Sequence, residues 1–349
     1  MKNDRPYISI VIPVFRAESI LPVLCERLTA SLRNLNVEYE IFLIDDRSPD
    51  NSWEVMRQMA ALYPTITAIR LSRNFGQHYA LTAGLDFVSG EWTVTMDCDL
   101  QDQPEEIAKL LAVAEQGNDV VLARRVDRKD RWSKRWASRF FYGVYYLLSG
   151  HRMDPAVGSF RMMRRSVVDG YRSMREASRL FNGMVQWLGF TTAYVDVEHA
   201  ARYEGSSSYD LRGLFRLATN GIVAFSNRPL YFSVAVGLTM SVFSVGFGAY
   251  VLILYLVHHI LAVPGWMSLV TLTTFIGGLI LLNLGILGIY VGRIYDETKG
   301  RPLYVVDQIV ANAPSATLTH HDLTQPGLRS GQSSLDTQKG DLGSGPPLV

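Results

Sequence analysis

Short apolar runs alternate with amphipathic stretches over the first third of the chain. Tyr7–Val14 is a β-branched run with Pro13 at its end, and it predicts a strand. Glu18–Leu35 places Ile20, Leu24, Leu28 and Leu32 on one helical face. Glu40–Ile44 predicts a second strand, Ser52–Leu62 a helix and Thr67–Leu71 a third strand. Arg73–His78 reads as a loop entering a helix that runs to about Phe87. Trp92–Met96 is a fourth strand, Pro104–Glu115 a helix with proline in its first turn, and Asp119–Ala123 a fifth strand. Strands that alternate with helices predict βα units and a mainly parallel sheet. In such sheets the functional loops lie at the carboxyl ends of the strands.

The pattern then changes. Asp154–Arg165 is a loop passing into a strand, with Gly158-Ser159-Phe160-Arg161 inside it. Glu176–Trp187 predicts a helix, and Thr191–His199 alternates as a strand does. Arg202–Tyr209 is a loop with two aromatics. After it Leu211, Leu214, Phe215, Ala218, Ile222 and Phe225 share a helical face, with Arg212 and Arg216 off it. Between Arg228 and Arg293 there is no Lys, Arg, Asp or Glu. Tyr231–Val257 and Met267–Val291 each exceed the roughly 20 apolar residues that cross a bilayer. His258, His259, Pro264, Gly265 and Trp266 interrupt them. Two transmembrane helices are expected, a buried helical hairpin being the rival. The residues from Leu211 to Phe225 then read as an interfacial helix feeding the first span. From Asn312 onward the chain has no aromatics and is rich in Ser, Gly, Thr and Pro, a composition expected to be disordered.

Composition narrows this picture. The 349 residues carry a formal net charge of +1, so no overall field steers the chain to nucleic acid. Cys25 and Cys98 fit no zinc spacing and suit a reduced, cytosol-facing chain. The N-terminal residues hold no signal-peptide core. Charge is local instead. Arg124, Arg125, Arg128, Lys129, Arg131, Lys134, Arg135 and Arg139 are opposed only by Asp127 and Asp130; Trp132 and Trp136 are interleaved, and Phe140, Phe141, Tyr142, Tyr145 and Tyr146 follow. Such a stretch suits an anionic membrane surface, with nucleic acid as the rival partner. The adjoining anchor favours the membrane. Arg228, Arg293, Lys299 and Arg301 flank the spans, whereas the loop between them has no Lys or Arg, so both termini are expected in the cytoplasm.

Candidate chemistry sits after the fourth strand, in Asp97-Cys98-Asp99-Leu100-Gln101. Two carboxylates and an amide oxygen are hard ligands that suit Mg2+ or Mn2+, an ion that commonly holds substrate phosphates as well. A lone pair of aspartates so spaced is often a solvated turn. Here Asp45-Asp46 ends the second strand and converges on the same edge of the sheet.

Val11-Ile12-Pro13-Val14-Phe15, Ile44-Asp45-Asp46-Arg47-Ser48-Pro49-Asp50, Arg73-Asn74-Phe75-Gly76-Gln77 and Asp97-Cys98-Asp99-Leu100-Gln101-Asp102 occur in that order. The set resembles the family-two inverting glycosyltransferases of GT-A fold. Within them it is similar to the polyprenyl-phosphate sugar transferases: dolichol-phosphate mannose synthases, bacterial undecaprenyl-phosphate glucosyltransferases, and the aminoarabinose-type transferase of lipid A modification. Gly292-Arg293-Ile294-Tyr295, Lys299-Gly300-Arg301-Pro302 and Tyr304-Val305-Val306 resemble the bacterial branch. The likeness covers roughly residues 6–310.

The resemblance implies an α/β GT-A, Rossmann-like catalytic domain over residues 1–204 and a juxtamembrane amphipathic segment over 205–228. A two-helix transmembrane anchor over 229–293, a cytoplasmic segment over 294–311 and a disordered tail over 312–349 would follow. It implies donor contacts from Pro13, Phe15, Glu18, Asp45, Asp46, Arg73, Asp97, Cys98 and Asp99. Asp97, Asp99 and Gln101 would hold Mg2+ or Mn2+. Arg125, Arg128, Lys134, Arg135 and Ser138 would hold the phosphate of the lipid acceptor. Ser159 stands where several relatives have an acidic residue, which leaves Asp154 as the nearby candidate base beside Asp97 and Asp99 as catalytic residues. The implied partners are a nucleotide sugar, with UDP as the expected nucleotide, undecaprenyl or another polyprenyl phosphate, the inner (cytoplasmic) membrane, and copies of the chain in a homo-oligomer, a tetramer in relatives. A processive polysaccharide synthase is one alternative, but its Gln-x-x-Arg-Trp signature does not occur in this chain. A non-catalytic membrane scaffold is the other.

Overall fold

The computed structural model describes residues 5–125, 157–198, 226–258 and 265–311. The strands are β1 (Ile8–Val14), β2 (Tyr39–Asp45), β3 (Ile66–Leu71), β4 (Trp92–Thr95), β5 (Val120–Arg125), β6 (Val157–Arg164), β7 (Thr192–Val197) and β8 (Val306–Ala311). The helices are α1 (Leu21–Asn34), α2 (Ser52–Leu62), α3 (Gln77–Phe87), α4 (Ile107–Ala114), α5 (Arg165–Ser173), α6 (Phe181–Trp187), α7 (Arg228–His258) and α8 (Trp266–Thr298). A 3-10 turn, Pro104–Glu106, opens α4.

The strands form one sheet in the order β7-β5-β6-β4-β1-β2-β3-β8. β4, β1, β2 and β3 run parallel, as expected. The chain steps from β1 outward to β2 and β3, then returns to place β4 on the other side of β1. This reversal opens a crevice at the carboxyl ends of β1 and β4.

The expected mainly parallel order fails beyond β4. β6 lies between β4 and β5 and runs antiparallel to both, and β5 pairs in parallel with β7. An apolar run announces a strand but not its direction or its neighbours. The expected helix over Glu176–Trp187 is shorter, beginning at Phe181, and α5 had no counterpart in the pattern reading. β8 was also unforeseen: it returns after α8 and pairs antiparallel with β3, Ala68 opposite Val310. The sheet therefore draws a strand from the 294–311 segment.

Both faces of the central strands are covered, so these strands are nearly continuous in apolar residues. Ile8, Ile10, Ile12 and Val14 of β1 pack with α1, α2 and α4. Val11, Ile44, Ile69 and Leu71 face α3, α5 and α6 on the other side. Gly84 lets α3 approach closely, because a Cβ there would lie 2.3 Å from Val11 Cγ1.

α7 and α8 differ from these core helices. Their windows Arg228–Phe247 and Thr271–Thr298 are long and apolar enough to cross a membrane, and neither is buried against the rest of the protein. Phe243, Val245 and Leu281 are largely exposed. Ser233 and Asn283 hydrogen-bond across the helix pair. The expected interfacial helix over 205–228 and the tail over 312–349 lie outside the described residues, save for 226–228 at the start of α7.

Candidate active site

The crevice forms a cavity of about 530 Å3, a size suited to a small-molecule ligand. Its walls are the loop after β1 (Pro13, Val14, Phe15, Arg16, Ala17, Ser19, Ile20), Asp46 after β2, Asn74, Gly76 and Gln77 after β3, and Asp97, Cys98 and Asp99 after β4. Four loops from four parallel strands thus meet at one place.

Local backbone geometry aims them. Arg16, Arg47 and Leu100 have φ of 57°, 55° and 56°, in the left-handed region. Each follows the end of a parallel strand, β1, β2 or β4. A non-glycine residue in this region is uncommon, and such strain gathers at functional sites.

The loops are laced together. Ser48 Oγ accepts the Arg16 N–H at 3.2 Å, and Ser52 Oγ accepts the Ala17 N–H at 2.9 Å. Asp46 is 3% exposed. Its Oδ1 accepts the Phe75 N–H at 2.7 Å and its Oδ2 the Gly76 N–H at 2.8 Å. Burial raises its pKa above the ordinary carboxylate value, and those two N–H groups pull it back down. Gln77 Nε2 then donates to Asp97 Oδ1 at 2.7 Å. Asp99 Oδ1 accepts the Gln101 N–H at 3.2 Å.

The expected residues divide. Pro13, Phe15, Asp46, Asp97, Cys98 and Asp99 meet at the cavity. Asp45 does not line it. Its carboxylate is fully buried, accepts the Ser48 N–H at 2.9 Å and sits 3.4 Å from Arg70 Nε, so it braces the turn. Glu18 Oε2 accepts the Asn51 N–H, joining the β1 and β2 loops rather than facing the crevice. Arg73 is exposed, lies over the Phe75 ring at 4.3 Å and does not line the cavity. Gln101 is half-buried, off the wall, and reaches Asp99 through its backbone. Burial pushes the Cys98 thiol up to about 12, so it is a neutral wall group.

Arg16, Ser19, Asn74, Gly76 and Gln77 line the cavity and were not assigned contacts from the sequence. The signal for the last three was present: a strand, a glycine and a helix start. Gly76 has φ of 103°, a turn open to glycine.

Behind the Asp97 loop lies a cationic layer. Arg161 is 2% exposed and Arg179 4%. Arg161 donates to the Gly158 carbonyl at 2.6 Å and to Asn182 Oδ1, and burial lowers it to about 10 while the Asp97 charge raises it. His78 is lowered to about 4 by burial and by the charges of Arg161 and Arg179, so it is neutral at physiological pH.

Arg125 ends β5, with its backbone opposite Val197. Arg128, Lys134, Arg135, Ser138 and Asp154 lie outside the described residues.

A divalent ion fits the donors that are present. Asp97 and Asp99 present hard carboxylate oxygens on one wall. Among the described residues no group of three His, Cys, Asp or Glu side chains gathers to hold an ion alone. Substrate oxygens and water would complete the shell, the usual habit of Mg2+.

The family model described as Glycosyl transferase family 2 matches residues 9–172. A prophage bactoprenol glucosyl transferase homolog from Escherichia coli (strain K12) is 34% identical over 303 residues, covering 86% of this chain and 99% of that protein. An undecaprenyl-phosphate 4-deoxy-4-formamido-L-arabinose transferase from Serratia proteamaculans (strain 568) is 35% identical over 316 residues, covering 88% and 95%. Among solved structures, glucosyl-3-phosphoglycerate synthase from Mycobacterium tuberculosis with Mn2+, UDP and glucosyl-3-phosphoglycerate aligns at a TM-score of 0.45 with 16% identity, covering 62% of this chain and 78% of that one.

Proposed function

The chain belongs to glycosyl transferase family 2 and is a GT-A-type glycosyltransferase, and from that footing we propose that it moves a sugar from a nucleotide sugar to undecaprenyl or another polyprenyl phosphate at the cytoplasmic face of the membrane. One observation carries the reading. A cavity with two strand-end carboxylates shares its sheet with a strand, β8, that follows two long apolar helices unburied by the rest of the protein. The relatives named as bactoprenol and undecaprenyl-phosphate transferases, similar over 86–88% of this chain, support the lipid acceptor.

In this reading the nucleoside lies along Pro13–Phe15 with Asp46 at its inner end, and the diphosphate reaches Asp97 and Asp99. Those two carboxylates would hold Mg2+ or Mn2+, which supplies charge neutralisation for the departing nucleoside diphosphate. The acceptor phosphate monoester is mostly dianionic near neutral pH, so it is itself the nucleophile and little general-base help is needed. One phosphate oxygen bonds to the anomeric carbon as the bond to the nucleoside diphosphate breaks, with inversion. The protein's share is to bring two anions together in line. Arg125, Arg128, Lys134, Arg135 and Ser138 are the proposed holders of the acceptor phosphate, and Asp154 remains the candidate base.

An even number of crossings is supported by β8: strands before and after the helix pair share one sheet. With Arg228 before the pair and Arg293, Lys299 and Arg301 after it, the sheet and both termini are assigned to the cytoplasm. The test is a panel of nucleotide sugars offered with undecaprenyl phosphate and read by mass spectrometry. Arg125→Ala and Lys134→Ala should raise the KM for lipid phosphate and leave donor binding near normal. No lipid-linked sugar from any donor, in a parent shown to bind nucleoside diphosphate, would refute the acceptor.

A further inference from the structure

Gln77 is the first residue of α3 and stands on the cavity wall, yet its side chain is turned to a neighbouring loop. Its Nε2 donates to Asp97 Oδ1 at 2.7 Å. The short length marks a charge-assisted bond. A carboxylate can only accept, so the amide must present its nitrogen to it.

We propose that Gln77 is a positioning residue: it fixes the carboxylate of Asp97 in the orientation that a divalent cation requires. This inference rests on the metal–donor reading of the same cavity and adds a residue to it.

Three features carry it. The platform is rigid, since Asp46 grips the Phe75 and Gly76 N–H groups at 2.7 and 2.8 Å, immediately before Gln77. The bond crosses loops, joining the β3–α3 junction to the segment after β4. A relay therefore runs from Asp46 through Gly76 and Gln77 to Asp97 and ties together the ends of β2, β3 and β4. The donor is also neutral. A lysine at this place would set a positive charge against the incoming cation, and a glutamate would repel Asp97. An amide orients the ligand while leaving its charge for the ion. Outer-shell hydrogen bonds of this kind fix the geometry of metal-binding carboxylates, and losing one typically weakens metal binding by about 10–100-fold.

Gln77 is exposed, so its replacement removes little packing. Gln77→Met keeps length and lacks the donor. Gln77→Asn keeps the amide but draws it back by one methylene, out of reach of Asp97. The full chain in detergent or nanodiscs is titrated with Mn2+ at fixed UDP and followed by thermal melting, with free Mn2+ read in parallel by electron paramagnetic resonance. Both variants should need about 10–100-fold more Mn2+ for half-saturation. Their metal-free melting temperatures should match the parent, and turnover should recover as Mn2+ is raised. A parent-like Mn2+ midpoint in either variant overturns the proposal. So does a lowered metal-free melting temperature with an unchanged midpoint, which marks a purely structural bond. A parent that takes up no Mn2+ with UDP removes the metal reading itself, and this inference with it.

Discussion

Asp46→Asn is the perturbation with the widest reach, because a single buried carboxylate holds the β3–α3 loop by both oxygens. Each N–H···O− bond is worth about 1.5–3 kcal/mol. The asparagine oxygen can keep one of them, as a neutral bond of about 1 kcal/mol. Its NH2 must then face the other backbone N–H, donor against donor, leaving a buried N–H without an acceptor at a cost of about 1–3 kcal/mol. Burial already raises the pKa of Asp46, so removing the charge returns part of its desolvation penalty. The net expectation is a loss of about 2–4 kcal/mol. It should be concentrated in the loop that carries Asn74, Gly76 and Gln77. The assay is denaturant unfolding of the full chain in detergent, joined to hydrogen exchange of the 73–80 segment and calorimetric UDP binding. Faster exchange there and weaker UDP binding are expected. Parent-like stability and exchange, with only UDP binding changed, would refute the bracing role and leave Asp46 as a simple ligand contact.

Asp99→Asn preserves size and removes one charge from the proposed cation site, so turnover should fall on the order of 10²–10³-fold with little change in folding; parent-like turnover across a Mg2+ and Mn2+ titration would sink the metal site. His78 is held neutral with its pKa lowered to about 4, chiefly by burial, against 6.5 ordinarily. The unfolded chain therefore binds the extra proton first. Stability is fully present above about pH 6.5 and falls by about 3 kcal/mol as pH drops towards 4. His78→Gln should flatten that part of the melting profile, and identical slopes for the two proteins would count against it. Gly84→Ala gains about 1 kcal/mol of helix propensity, but its methyl would meet Val11 at 2.3 Å. An overpacking cost of about 1–3 kcal/mol should make the variant less stable, and a raised melting temperature would show that Val11 has room to move.

The sequence by itself determined much of this protein. Periodicity located β1 to β5, most of the helices between them and both long apolar helices, because burial on one helical face or on both sheet faces, like a long run without charge, leaves a local mark on residue order. The ordered motifs placed Asp46, Asp97 and Asp99 at strand ends, and strand ends of one parallel sheet must share an edge. What it left open depends on contacts between distant positions. The direction of β6, and its place between β4 and β5, follow from which strand edges find each other. β8 pairs with β3, and Arg47 meets Asp307 at 2.7 Å across 260 positions. Asp45 and Asp46 are neighbours of one type, yet one turns inward to Ser48 and Arg70 while the other lines the cavity and grips the next loop. Gln77 looked like an ordinary helix start until the fold brought Asp97 within hydrogen-bonding reach. Residue type and spacing set what each side chain is able to do. Only the tertiary structure decided which partner it meets, because a hydrogen bond acts over about 3 Å between groups the chain separates by tens or hundreds of residues.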